Sequence, residues 1–82
     1  MNLCFLYGKI VSNIDFKFMI NSKNISKAVF YLKLKNDSII KIKAYNEIAD
    51  FCFSKLKKGN SIILEGTIDS RYDVTVREIQ EL

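Results

Sequence analysis

Apolar residues fall on every second position through most of this chain, and that spacing constrains the fold more than any other feature. Ile14, Phe16, Phe18 and Ile20 alternate with Asp15, Lys17 and Met19. Ala28, Phe30, Leu32 and Leu34 share a phase within Ile25 to Lys35, as do Ile40, Ile42 and Ala44 within Ile39 to Tyr45. Ser61 to Asp69 and Tyr72 to Ile79 alternate in the same way. A period of two sends successive side chains to opposite faces of a strand, so each segment reads as a strand with one buried face. Leu3 to Val11 is different. It is apolar on both faces between Leu3 and Tyr7 and broken by Gly8, which reads as a strand with a bend or bulge.

One segment follows the other period. Ile48, Ala49, Cys52, Phe53 and Leu56 form an apolar helical stripe. Asn46 is the expected N-cap, and Glu47 and Asp50 sit in the first turn, where the helix dipole favours acids. Lys55, Lys57 and Lys58 crowd the expected last turn, with Gly59 as the C′ residue that closes it. Polar turns are expected at Asn21 to Asn24, at Asn36-Asp37-Ser38 and near Ser70-Arg71. With Ile25 to Lys35 and Ile39 to Tyr45 as the second and third strands, the order is strand, strand, strand, helix, strand, strand. An all-β chain of 82 residues in that order suits a five-stranded OB-fold barrel with one α-helix between strands three and four. There is no Pro, no repeat and no low-complexity stretch, so residues 1–82 are expected to form a single domain.

Composition narrows the function classes. An apolar fraction of 49% supports a packed core and excludes a disordered chain. No apolar run approaches the roughly 20 residues of a membrane span. Met1 to Tyr7 lack the features of a signal peptide, and a cytoplasmic address is expected. Cys4 and Cys52 have neither disulfide-framework nor metal-clip spacing and are expected to be small buried hydrophobes. There is no His, and the nine acids form no spaced pair suited to acid–base work. The expectation is therefore a binding protein with no catalytic residues, cofactor, metal or small-molecule substrate.

The net charge of +4 is unevenly distributed. Up to Tyr45, eight lysines meet only Asp15 and Asp37; from Asn46 onward, five basic residues meet seven acids. Lysine is abundant in this chain overall, so position has to carry the argument. Keeping the apolar residues of the second and third strands on one face requires a three-residue loop, Asn36 to Ser38, pairing Leu34 with Ile40, Leu32 with Ile42 and Phe30 with Ala44. The other face then gathers Tyr31, Lys33, Lys41, Lys43 and Tyr45, with Lys33 directly opposite Lys41 and no acid in either strand. Like charges opposed in a sheet are unfavourable, so such a face is arranged for a polyanion. Its rings offer platforms for unpaired bases.

Several segments carry a resemblance. The opening strand Asn2-Leu3-Cys4-Phe5-Leu6-Tyr7-Gly8-Lys9-Ile10, the pair Lys17-Phe18 and the strand Ala28-Val29-Phe30-Tyr31-Leu32 each resemble segments of the bacterial single-stranded DNA-binding protein family. So do Ala44-Tyr45-Asn46-Glu47-Ile48-Ala49-Asp50 and the stretch Leu56-Lys57-Lys58-Gly59-Asn60 followed by Leu64-Glu65-Gly66, and these two are the most specific. The resemblance implies an OB-fold that binds single-stranded DNA by stacking and phosphate contacts, as a homodimer or tetramer. Lys41 and Tyr45 match family positions that carry a basic and an aromatic residue. The chain departs from the family in lacking Trp, in placing Ile39 where relatives present an aromatic, and in ending at Glu81-Leu82 without an acidic, Phe-ended tail. A reduced relative, like the primosomal replication proteins of this fold, is one form the resemblance allows.

The expected nucleic-acid contacts are Lys9, Lys17, Tyr31, Lys33, Lys41, Lys43, Tyr45 and Arg71, taking single-stranded DNA without sequence preference. Single-stranded RNA and a protein-interaction role on the same scaffold remain open alternatives. The doubly apolar first strand is either core on both faces or the edge through which copies associate.

Overall fold

The computed structural model describes residues 2–20 and 24–82. Of the polar turn expected at Asn21 to Asn24, only Asn24 falls inside the described residues. The elements are β1 (Leu3–Ile10), β2 (Asp15–Ile20), β3 (Asn24–Leu34), β4 (Ile39–Tyr45), α1 (Asn46–Lys55), β5 (Ser61–Ile68) and β6 (Val74–Glu81). They form one sheet in the order β1-β5-β6-β4-β3-β2, and β1 pairs also with β3. That extra pairing closes β1, β5, β6, β4 and β3 into a five-stranded barrel. In chain order α1 lies between the third and fourth barrel strands, which is the OB-fold arrangement the alternation predicts.

The two strand patterns before Asn21 are two separate strands, β1 and β2, where the five-strand order has room for one. Among the described residues, β2 leaves the barrel and pairs only with β3, from Asp15 opposite Val29 to Ile20 opposite Asn24. The departure is fixed by hydrogen bonds to Tyr31. Its N–H donates to Ser12 Oγ at 2.9 Å, and its carbonyl accepts from Val11 N at 2.9 Å.

The apolar phases converge as expected. Ile10, Phe30, Leu32, Ile42, Ile62, Val74 and Cys52 are fully enclosed, with Ala28, Ala44 and Ala49 between them. Burial pushes the Cys52 thiol up to about 11, so it stays protonated and inert. Cys4 is only partly buried at the rim of the core.

Gly8 has a specific task. β1 pairs with β5 without a bulge from Leu3 to Lys9, and at Gly8 it meets Leu34 of β3 as well. A Cβ there would lie 2.5 Å from the Lys33 carbonyl oxygen, so only glycine lets the barrel close at this seam. The bulge lies elsewhere, in the β5–β6 pair at Glu65/Gly66. Strict alternation after Val74 and Val76 would turn Glu78 inward. The bulge resets the phase, so Glu78 faces out and Ile79 packs on the core.

The helix differs at both ends from its sequence signals. Asn46 is not an N-cap: its φ is 56°, the cap position is Tyr45, and no side chain caps the helix. α1 ends at Lys55, with Leu56 extended at the C-cap. Gly59, at φ 100°, belongs to a following turn in which Asn60 N donates to the Lys57 carbonyl. Lys57 and Lys58 therefore lie beyond the helix, and Lys55 is the basic residue of its last turn. The stripe itself holds, with Ala49, Cys52 and Leu56 buried. Phe53 stays 58% exposed but stacks on Phe16 of β2, their ring centroids 4.5 Å apart. No helix among the described residues is long and apolar enough to cross a membrane.

Candidate nucleic-acid interface

The β3–β4 hairpin sets the register of the candidate face. Its loop has three residues, as expected, but they are Lys35, Asn36 and Asp37. Leu34 N donates to the Ser38 carbonyl at 2.8 Å, and Asp37 N to the Leu34 carbonyl at 3.0 Å. Asp37 sits at φ 69°, the left-handed position such a loop needs and one that Asp tolerates better than most residues. Asn36 Oδ1 accepts from Ser38 N and fixes the turn. The pairing is thus shifted by two residues from expectation: Phe30 faces Ile42 and Leu32 faces Ile40. A shift of two preserves the faces and changes the neighbours. Lys41 lies opposite Tyr31, Lys43 opposite Val29 and Tyr45 opposite Lys27. Lys33 lies opposite Ile39, so the expected opposition of Lys33 and Lys41 does not occur.

Two other like-charge pairs do occur. Lys9 of β1 is opposite Lys33 where the barrel closes, and Lys17 of β2 is opposite Lys27 of β3. They divide the face into two basic clusters, each with a ring. At the seam stand Lys9, Lys33 and Lys41 around Tyr31, which is 42% exposed. At the β2 end stand Lys17 and Lys27, with Lys27 Nζ 5.8 Å from the centre of the Tyr45 ring. Lys27 and Tyr31 lie four positions apart on β3, about 13 Å of strand.

Between the clusters the charge is cancelled. Lys43 Nζ lies 3.3 Å from Asp69 Oδ2 and 3.8 Å from Asp73 Oδ2, and its side chain is only 20% exposed. Asp15 of β2 adds a further acid opposite Val29. The structure therefore brings Lys9, Tyr31, Lys33 and Lys41 together, and Lys17 with Tyr45, while Lys43 is held in an internal ion pair. Sequence reasoning did not single out Lys27, although it shares the strand phase of Tyr31 and Lys33. The signal was present in the alternation.

Arg71 occupies the tip of the β5–β6 hairpin beside Tyr72, which is 76% exposed and held at φ 64°. A bulky residue in the left-handed region costs about 1–2 kcal/mol. Asp69 organises this tip: its Oδ1 accepts from Arg71 N at 2.8 Å and from Asp73 N at 3.1 Å. The Arg71 N–H, then the Asp73 N–H and Lys43, hold the Asp69 carboxyl below its ordinary value of 3.8. The ionised form is favoured in the folded state. Its stabilisation is complete above the ordinary value and is lost as pH falls through the lowered one. Asp69→Asn should melt lower than the parent at neutral pH, and the gap should shrink in strong acid. Thermal melts across that range measure it; a gap independent of pH would contradict the assignment.

A different stretch of the barrel wall is apolar and acidic. Leu3, Phe5 and Tyr7 of β1 are 44%, 69% and 57% exposed, and Ile63 of β5 lies opposite Tyr7. Glu65 and Glu78 face each other beside Phe5. Of the two readings of the first strand, the structure shows one face in the core and the other exposed.

No family model matches this sequence, and no curated protein matches it. Solved structures do match the fold. The single-stranded DNA-binding protein of Thermus aquaticus is similar at TM-score 0.86 and 16% identity, covering 100% of this chain. This chain spans 40% of that protein's length. The SSB domain of a Synechococcus protein is similar at TM-score 0.76 and 19% identity, over 98% of this chain and 94% of that domain. The second OB-fold domain of replication protein A from Methanococcus maripaludis is similar at TM-score 0.77 and 19% identity, over 95% and 81%. The chain has the OB-fold that these domains share.

Proposed function

We propose that this protein binds single-stranded DNA without sequence preference across the outer face of β3 and β4. The observation that carries the reading is the pair of basic clusters, each built around a tyrosine. Two cross-strand lysine pairs, Lys9/Lys33 and Lys17/Lys27, are unfavourable in the free protein and are relieved by phosphate. Tyr31 and Tyr45 stack unpaired bases, while Lys9, Lys17, Lys27, Lys33 and Lys41 meet phosphates. Lys43 anchors the β5–β6 hairpin through Asp69, which also accepts from the Arg71 N–H, and Arg71 at that tip adds a further phosphate contact. The similarity in fold to single-stranded DNA-binding domains supports this reading. With three to five phosphate contacts, log affinity should fall with log salt at a slope of about −2 to −3.5. Titration of a single strand, its duplex and the matching RNA at two salt concentrations tests it. Tighter binding of the duplex would overturn it, and tighter binding of the RNA would reassign the ligand.

The exposed apolar face of β1 favours a second, compatible role in self-association, as a homodimer or tetramer. Contiguous exposed apolar residues mark interfaces, and Leu3, Phe5, Tyr7 and Ile63 are contiguous across β1 and β5. Sedimentation should show an oligomer that Phe5→Glu converts to monomer; a monomeric parent at high concentration would contradict it.

A further inference from the structure

The densest positive charge of the face lies at the seam where β1 meets β3. A groove there is lined by Tyr7, Lys9, Lys33, Lys35, Asp37 and Ser61. Asp37 is the acid among the groove's three lysines. Its carboxylate lies 3.3 Å from Lys33 Nζ. The hairpin puts it there: Asp37 occupies the left-handed position of the loop, four residues after Lys33, and its side chain folds back over the strand.

The geometry has two features that a simple stabilising pair does not need. The ion pair is solvated, with 46% of the Lys33 side chain and 82% of the Asp37 side chain exposed, so its net worth is small. Among the described residues, Lys9, directly opposite Lys33, has no acidic partner of its own. An anion of higher charge density that could reach Lys9 and Lys33 together would displace a carboxylate that reaches only one of them.

We propose that this groove receives a backbone phosphate of the bound strand and that Asp37 competes with it for Lys33, acting as an internal phosphate mimic that lowers affinity. The inference rests on the strand-binding reading above and adds a site and a restraint to it. Binding at Lys33 frees the Asp37 carboxylate beside the strand, where it holds a cation in place of the one the phosphate gives up, so in the parent protein this contact has no net counterion release. With Asp37 neutralised, the same contact releases one, which steepens the salt slope by about 0.7.

The test titrates labelled oligothymidylate into the parent protein, Asp37→Asn, Lys33→Thr, the double variant, and Asp50→Asn as a control for charge alone. Asn suits the left-handed position, and a thermal melt confirms that each variant is folded. Asp50 is an exposed acid on α1. Asp37→Asn should bind about two- to fivefold tighter than the parent, the range expected from an exposed ion pair, with the steeper slope. Asp50→Asn should gain less, because Asp50 neither lines the groove nor forms the ion pair with Lys33. In the Lys33→Thr background, neutralising Asp37 should gain no more than the control. If the parent binds and Asp37→Asn binds no tighter than Asp50→Asn, the competition is overturned and strand binding stands. If no variant binds, both are overturned. Inorganic phosphate that displaces the strand from Asp37→Asn more effectively than chloride at equal ionic strength would assign the groove to free phosphate, overturning the strand as its source.

Discussion

Replacing Tyr31 with Ala is expected to weaken single-strand binding by about 1–3 kcal/mol, roughly five- to 150-fold, with little change in stability. The ring is 42% exposed on the outer face of β3, opposite Lys41, so the core loses nothing when it is removed. The two backbone bonds that fix the departure of β2 use the Tyr31 N–H and carbonyl, which Ala keeps. Any cost to the fold should stay within the roughly 1 kcal/mol span of strand propensities. The salt slope separates stacking from charge. Tyr31 is neutral, so affinity should fall in parallel at every salt concentration, whereas Lys41→Thr should also flatten the slope by about 0.7. A Tyr31→Ala variant that binds like the parent, or that loses affinity only at low salt, would remove stacking from the account.

The largest effect on stability is expected from Phe30→Ala, at about 3–5 kcal/mol. Phe30 is fully enclosed on the inner face of β3, facing Ile42 and flanked by Ala28 and Leu32. The two alanines beside it at Ala28 and Ala44 are too small to fill the space it would leave. Against a total of about 5–15 kcal/mol for a small domain, such a loss brings the chain close to unfolding. Urea unfolding should show a lower midpoint at unchanged slope. Phe53→Ala provides the contrast. That ring is 58% exposed and rests on Phe16, so its loss should cost only about 0.5–1.5 kcal/mol. Equal costs for the two would contradict the core as described.

The faces of the strands were legible in the sequence, and the neighbours across them were not. Alternation put Tyr31, Lys33, Lys41, Lys43 and Tyr45 on one side, and the structure keeps them there, because parity survives a register error of two. The error itself came from the hairpin, where the three-residue loop is Lys35 to Asp37, with Asp37 left-handed, rather than Asn36 to Ser38. That choice depends on φ at a single position, which hydrophobic pattern does not report. The neutralisation of Lys43 was hidden for a different reason. Asp69 and Asp73 reach it only because β6 runs parallel beside β4, with Lys43 opposite Thr75, a pairing set by barrel closure. The same closure brings Lys9 opposite Lys33 and makes a pair of lysines from residues distant in sequence. Likewise the bulge that turns Glu78 outward answers to the whole of β5, not to the local alternation.

One titration tests most directly whether the two basic clusters on β3 and β4 bind single strands. A single strand of mixed sequence and its own duplex would be added to the protein at two salt concentrations. The single strand should bind more tightly at both, because stacking on Tyr31 and Tyr45 needs base faces that a duplex hides, and its slope should lie near −2 to −3.5. Equal affinity for the two forms, or binding that salt leaves unchanged, would contradict it.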